Sequence, residues 1–207
     1  MKLFLDTADV RSVKARLSTG LISGITTNPT LIFKSGRHPQ TVYQELIKLG
    51  IDDISMEVMG DSEDELFKNA MGHVKTYAEK ATIKLPCTID GLKACKRLSA
   101  INVRTNVTLI FSPAQAILAS LAGATYISPF IGRMDDNSLD GMKLINDISN
   151  TLRSDTKILA ASIRDPQSVG TAFALGADIC TVPTDVFDRM YNHVLTDKGV
   201  EQFERDH

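Results

Sequence analysis

Ala81-Thr82-Ile83-Lys84-Leu85-Pro86 is the stretch from which the rest of the chain is read. It is short, apolar and β-branched, and Pro86 forbids further ladder pairing at its end, so it reads as a strand with one lysine in the middle. An ammonium among Ile83, Leu85 and Pro86 is costly to desolvate. Unless a carboxylate holds it, the amine tends toward its neutral, nucleophilic form, the state a Schiff-base lysine needs. The plainer alternative is a lysine on a solvated strand face, paired with a neighbouring Asp or Glu. The segments on either side favour the first reading.

Working outward, strand-like and helix-like segments alternate from end to end. Strands are expected at Lys2 to Asp6, Ile22 to Thr27, Asp53 to Val58, Ala81 to Pro86, Val103 to Leu109, Thr125 to Pro129, Lys157 to Ile163 and Asp178 to Val182. The intervening helices have recognisable starts. Ser62-Glu63-Asp64-Glu65 has the form of a capping box, and Ser112-Pro113-Ala114-Gln115 combines an N-cap serine with proline at the first helical position. Asp165-Pro166 and Thr184 open two more, and Met142, Ile145, Ile148 and Leu152 give another helix an apolar stripe. Gly36 and Pro39 mark a loop from Phe33 to Gln40 inside the second unit.

Eight βα units imply a closed (β/α)8 barrel or an open doubly wound sheet. The barrel would be compact for its class, which usually takes about 250 residues. No G-x-G-x-x-G or G-x-x-x-x-G-K-[ST] phosphate turn supports the open sheet. One domain is expected over residues 1–207, with 196–207 as a helical tail carrying Val200 and Phe203 on one side.

The chain is 43% apolar and 23% charged, with 23 Lys and Arg against 25 Asp and Glu. Without a block of like charge, neither nucleic acid nor a membrane surface is the expected partner, and any anion must be met by local arginines. Cys87, Cys95 and Cys180 read as reduced, buried thiols of a cytoplasmic protein. Met1-Lys2-Leu3-Phe4-Leu5-Asp6 meets an acid too early for a signal peptide, and no run reaches transmembrane length. His38, His73, His193 and His207 are scattered without zinc-ligand spacing, so no metal is expected.

In a barrel, alternate strand residues point inward, and catalytic groups cluster at the C-terminal strand ends. Polar residues near those ends should therefore share a parity on each strand. Asp6, Thr26 with Asn28, Glu57, Lys84, Asn106 with Thr108, Ser128 with Phe130, and Ser162 with Arg164 meet this expectation on seven strands. Each has a plainer role as well. Asp6 could cap the helix beginning near Thr7 or Asp9, Asn28 could form a turn before Pro29, Thr108 could be an ordinary strand residue, and Ser162 could satisfy a backbone group. Jointly they are hard to explain by stability, because unsatisfied buried polar groups cost about 1 to 3 kcal/mol each.

Leu5-Asp6-Thr7-Ala8, Gly24-Ile25-Thr26-Thr27-Asn28-Pro29-Thr30-Leu31, Ile83-Lys84-Leu85-Pro86, Thr105 through Ser112, and Ser128-Pro129-Phe130-Ile131-Gly132-Arg133 closely resemble the transaldolases. The match is best to the short form of that family, which also holds the fructose-6-phosphate aldolases. It runs over nearly the whole chain, including Ala160 to Arg164 and Leu195 to Gly199.

The resemblance implies that Lys84 forms a Schiff base with a ketose phosphate and that Asp6 is the general base at its C4 hydroxyl. It implies that Glu57 and Thr108 hold a water for the proton transfers of imine formation and hydrolysis. It places Asn28, Thr26, Asn106, Ser128 and Phe130 around the substrate, and Arg133, Ser162 and Arg164 at its phosphate. For Arg133, a surface ion pair with Asp135 or Asp136 is the plainer alternative. No cofactor is implied, because a protonated imine is itself the electron sink.

Aldolases of the subfamily carry glutamine where Glu57 stands and tyrosine where Phe130 stands, so the resemblance implies transfer over release of dihydroxyacetone. A silent sugar-phosphate-binding barrel would be expected to lack Lys84 or Asp6, and both are present. The family also implies a homo-oligomer, a pentamer or decamer.

Overall fold

Short β-branched strands separated by amphipathic helices bury both strand faces when the helices wrap a parallel sheet. The computed structural model describes residues 1–207. Its order is β1 (Lys2–Asp6), α1 (Val10–Leu17), β2 (Ile22–Thr26), α2 (Pro29–Lys34), α3 (Pro39–Lys48), β3 (Ile54–Glu57), α4 (Glu63–Tyr77), β4 (Ala81–Pro86), α5 (Ile89–Ser99), β5 (Thr105–Ile110), α6 (Pro113–Leu121), β6 (Tyr126–Pro129), α7 (Ile131–Asp136), α8 (Gly141–Thr151), β7 (Lys157–Ala160), α9 (Pro166–Ala174), β8 (Ile179–Val182), α10 (Thr184–Met190) and α11 (Val194–Arg205). The sheet is a closed parallel barrel in chain order. Pairing of β1 with β8, from Lys2 opposite Ile179 to Leu5 opposite Val182, excludes the open sheet. The fold is a (β/α)8 barrel.

The helix starts follow from local chemistry. Ser62 Oγ accepts from the Glu65 amide at 3.3 Å and Ser112 Oγ from the Gln115 amide at 3.2 Å. The reciprocal bonds close one residue earlier than a simple capping box: Glu65 accepts from the Asp61 amide and Gln115 from the Phe111 amide. At α1 the cap is Asp9, so Asp6 is left free for other work. The expected loop around Gly36 separates α2 from α3, and the tail helix begins at Val194, where His193 Nδ1 accepts from the Leu195 amide.

Two apolar layers follow from strand alternation. The larger lies between barrel and helices and includes Leu5, Ile25, Ile83, Leu85, Val107 and Ile110. The smaller lies inside the barrel and consists of Phe4, Tyr126, Leu159, Ala161 and Ile179. Gly24 makes room for it, since a Cβ there would stand 2.6 Å from the Phe4 ring. The barrel floor is polar: buried Asp53 accepts from Thr82 Oγ1 at 2.7 Å, Tyr126 Oη at 2.7 Å and Arg104 at 2.9 Å. Burial, then the Asp53 charge, pushes the Tyr126 hydroxyl far above its usual range.

Cys95 and Cys180 are buried, while Cys87 is half-buried rather than buried. Burial pushes the Cys180 thiol up to about 12, so it is inert. No helix is long and apolar enough to cross a membrane.

Candidate active site

The C-terminal ends of the strands converge on a cavity of about 130 Å³ walled by Asp6, Thr26, Asn28, Lys84, Ser128, Phe130, Arg133, Ala161, Ser162 and Thr181. Lys84 is 5% exposed. Its Nζ donates to the Thr27 carbonyl at 3.1 Å and lies 3.1 Å from Glu57 Oε2. A carboxylate therefore does hold the amine, but inside the barrel and not on a solvated face.

Asp6 accepts from Thr26 Oγ1 at 2.7 Å. Burial raises its carboxyl above the usual range, the Thr26 bond and the Lys84 charge pull it down, and Glu57 pushes it up. Asp6, Lys84 and Glu57 are thus electrostatically coupled at one end of the barrel.

Asn106 and Thr108 are buried behind this wall. Ser128 Oγ donates to Asn106 Oδ1 at 2.8 Å, and Asn106 Nδ2 donates to Ser55 Oγ at 3.2 Å. The Thr108 hydroxyl is buried with no protein partner. Such an atom in a polar setting calls for a water or a ligand. The Asn28 side chain caps α2, accepting from the Leu31 amide at 2.9 Å, and Asn28 also lines the cavity.

Parity holds on six strands, with one local twist. On β5, Leu109 takes a left-handed φ of 61° where the register with β6 shifts. The bulge turns Ile110 to the outer core while Asn106 and Thr108 stay inward. On β7 the expectation fails. The inward residues there are Leu159 and Ala161, and the strand ends at Ala160. Ser162 reaches the cavity only because it lies past the strand with φ 60°.

Gly132, at the start of α7, packs there without room for a Cβ, which would stand 2.4 Å from the Ser162 carbonyl oxygen and 2.7 Å from Arg164 Nε. Close approach of α7 to the end of β7 brings Arg133 beside Ser162.

The ion pair that was the plainer alternative for Arg133 is made by another arginine. Arg164, not Arg133, pairs with Asp136 through both carboxylate oxygens, outside the cavity wall. Asp135 accepts from the Gly141 amide. Arg133 consequently has no carboxylate partner and lies over the Phe130 ring at 4.9 Å. Phe130 also packs edge-on against Phe111, with ring centroids 6.0 Å apart.

Thr181 on β8 is a wall residue that the sequence reading missed, and Ser55 is a buried partner that it missed. Thr181 Oγ1 lies 2.6 Å from Thr26 Oγ1. The signal was present: Thr181 alternates with inward Ile179. No cluster of three His, Cys, Asp or Glu side chains has metal-site geometry.

The fold and the polar mouth together define a (β/α)8-barrel enzyme with a lysine on its fourth strand. Comparison narrows the class. A family model described as Transaldolase/Fructose-6-phosphate aldolase matches residues 3–207. A probable transaldolase of Symbiobacterium thermophilum is 46% identical over 100% of this chain and 96% of its own length. One from Paracoccus denitrificans is 47% identical over the same shares, and one from Nitrosopumilus maritimus is 44% identical over 100% of this chain and 94% of its own. The chain belongs to the transaldolase/fructose-6-phosphate aldolase family. A thiamine phosphate pyrophosphorylase from Pyrococcus furiosus shares the fold alone, with TM-score 0.59 and 18% identity over 88% of this chain and 85% of its own.

Proposed function

We propose that this enzyme is a transaldolase that moves a dihydroxyacetone unit from a ketose phosphate to an aldose phosphate through a Schiff base on Lys84. The observation that carries the reading is the buried Lys84 amine held 3.1 Å from Glu57 on the cavity that Asp6 also walls. Glu57 accepts the ammonium proton, and the freed amine attacks the ketone carbon. Loss of water from the carbinolamine needs a proton delivered to the leaving oxygen. Glu57 and a water at the unpartnered Thr108 hydroxyl supply it.

Asp6 then takes the C4 hydroxyl proton, the C3–C4 bond breaks, and its electron pair flows into the protonated imine. The aldose phosphate leaves and an enamine remains. Addition to a second aldose phosphate runs the same steps backward, with Asp6 as acid. Asn28, Thr26, Asn106 and Ser128 order the hydroxyls. Arg133, free of any carboxylate, takes the phosphate with Ser162, and Arg164 joins when the phosphate displaces Asp136.

Phe130 favours transfer over release. With its ring between Phe111 and Arg133, it offers no hydroxyl to organise a water at the enamine. Sedoheptulose 7-phosphate or fructose 6-phosphate is the proposed donor, and glyceraldehyde 3-phosphate or erythrose 4-phosphate the acceptor, in the pentose phosphate pathway of the cytoplasm. The enzyme works as a pentamer or decamer whose tail helix packs on a neighbour, covering its exposed Leu195, Val200 and Phe203.

Borohydride trapping with fructose 6-phosphate tests the reading, run beside an assay of free dihydroxyacetone with and without erythrose 4-phosphate. A reduced three-carbon adduct on Lys84 with acceptor-dependent turnover is expected. Acceptor-independent release would make the protein an aldolase, and folded protein without an adduct would leave only a binding barrel.

A further inference from the structure

Thr181 takes no part in the steps above, yet it is buried, lines the catalytic cavity and touches the group that holds Asp6. The direction of its hydrogen bond follows from counting protons. Thr26 has a single hydroxyl proton and gives it to Asp6 Oδ1 at 2.7 Å. The 2.6 Å contact between the two threonine hydroxyls therefore has Thr181 as donor and Thr26 as acceptor. The chain runs Thr181 to Thr26 to Asp6, across three neighbouring strands in the order β8, β2, β1.

We infer that Thr181 is a positioning residue of the reaction: it fixes the Thr26 hydroxyl so that Asp6 Oδ1 is always occupied and Oδ2 alone faces the substrate proton. The inference rests on Asp6 being the general base. Its physical basis is that a free threonine hydroxyl rotates among three staggered positions, whereas one that accepts from Thr181 keeps its proton aimed at the carboxylate. Hydrogen bonds in series also polarise one another, so the Thr26 bond to the ionised carboxylate is stronger with Thr181 behind it. For packing alone, valine has nearly the shape of threonine and would fill the same space, so the hydroxyl on Thr181 serves its bond to Thr26.

Loss of the Thr181 hydroxyl weakens the bond that favours ionised Asp6. Lys84 on β4 favours the ionised form and Glu57 on β3 opposes it, and Arg133 on α7 walls the same cavity. All three stay in place in the variant. The base is needed ionised, so the acid limb of the rate profile moves to higher pH.

The test compares wild type, Thr181→Val and Thr181→Ser with fructose 6-phosphate and erythrose 4-phosphate between about pH 5 and 9. Thr181→Val should lose about 3- to 10-fold in kcat, keep its KM and its borohydride-trapped Lys84 adduct, and show the acid limb moved up, while Thr181→Ser restores the wild-type profile. Should the valine variant not fold, Thr181→Ala replaces it with the same expectations. An unshifted pH profile with wild-type kcat, or a serine variant as impaired as valine, overturns the inference while leaving the proposed reaction standing. Wild-type protein that neither traps nor turns over the ketose phosphate overturns both.

Discussion

The Lys84–Glu57 pair allows a quantitative test. At 3.1 Å, with side chains 6% and 17% exposed, two unit charges attract by about 5 kcal/mol at an effective dielectric near 20. Desolvation offsets most of that in the intact pair. Removing one partner of a fully buried pair costs about 3 to 5 kcal/mol, because the other charge is left behind. Glu57→Gln keeps a hydrogen-bond acceptor and Glu57 is partly solvated, so we expect a loss of about 2 kcal/mol, or about 4 to 8 °C in Tm for a chain of this size. Lys84→Met alone leaves Glu57 and Asp6 facing each other without the ammonium and is also destabilised. The double variant has no orphaned ammonium, so its loss is smaller than the sum by about 2 kcal/mol. Urea unfolding of all four proteins at one pH and protein concentration measures this. Additivity within about 0.5 kcal/mol would refute the pairing as an energetic unit.

Three further outcomes follow from the same geometry. The Asp6 carboxyl is raised by burial, so the native state binds an extra proton between the ordinary carboxylate range and the raised folded value; stability from this group is present below that window and lost as pH rises through it. Asp6→Asn should accordingly abolish transfer yet be more stable than wild type at pH 8, with the gap closing toward pH 4; lower stability at pH 8 contradicts the assignment. Arg133→Ala should raise KM for a phosphorylated donor about tenfold or more with a smaller change in kcat, and an unchanged KM moves the phosphate elsewhere. Ending the chain at Thr196 should lower the particle mass on sizing while the barrel keeps its circular dichroism, since no residue of α11 is buried; an unchanged mass removes the tail from assembly.

Much of the site was legible in advance because its signals are local. Period-2 alternation placed Lys84, Glu57, Asn106, Thr108 and Ser128 on inward strand positions, and cap chemistry located the starts of α4, α6 and α9. The same alternation misplaced Ser162, because a left-handed residue past the end of β7 overrides strand parity. The aspartate pairing considered for Arg133 falls instead to Arg164 for a similar reason: two arginines beside two aspartates are equivalent in sequence, and the docking of α7 against β7 selects which pair meets.

What the amino-acid order by itself determined was therefore the eight βα units, the inward lysine and most of the polar mouth, since each depends on residues within a few positions of one another. Only the tertiary structure decided that β1 closes on β8, that Glu57 holds Lys84, that Arg133 stays free, and that Thr181 stands behind Thr26 and Asp6. Those contacts join residues far apart in sequence, and their geometry is set by barrel closure and strand register, which no local pattern encodes.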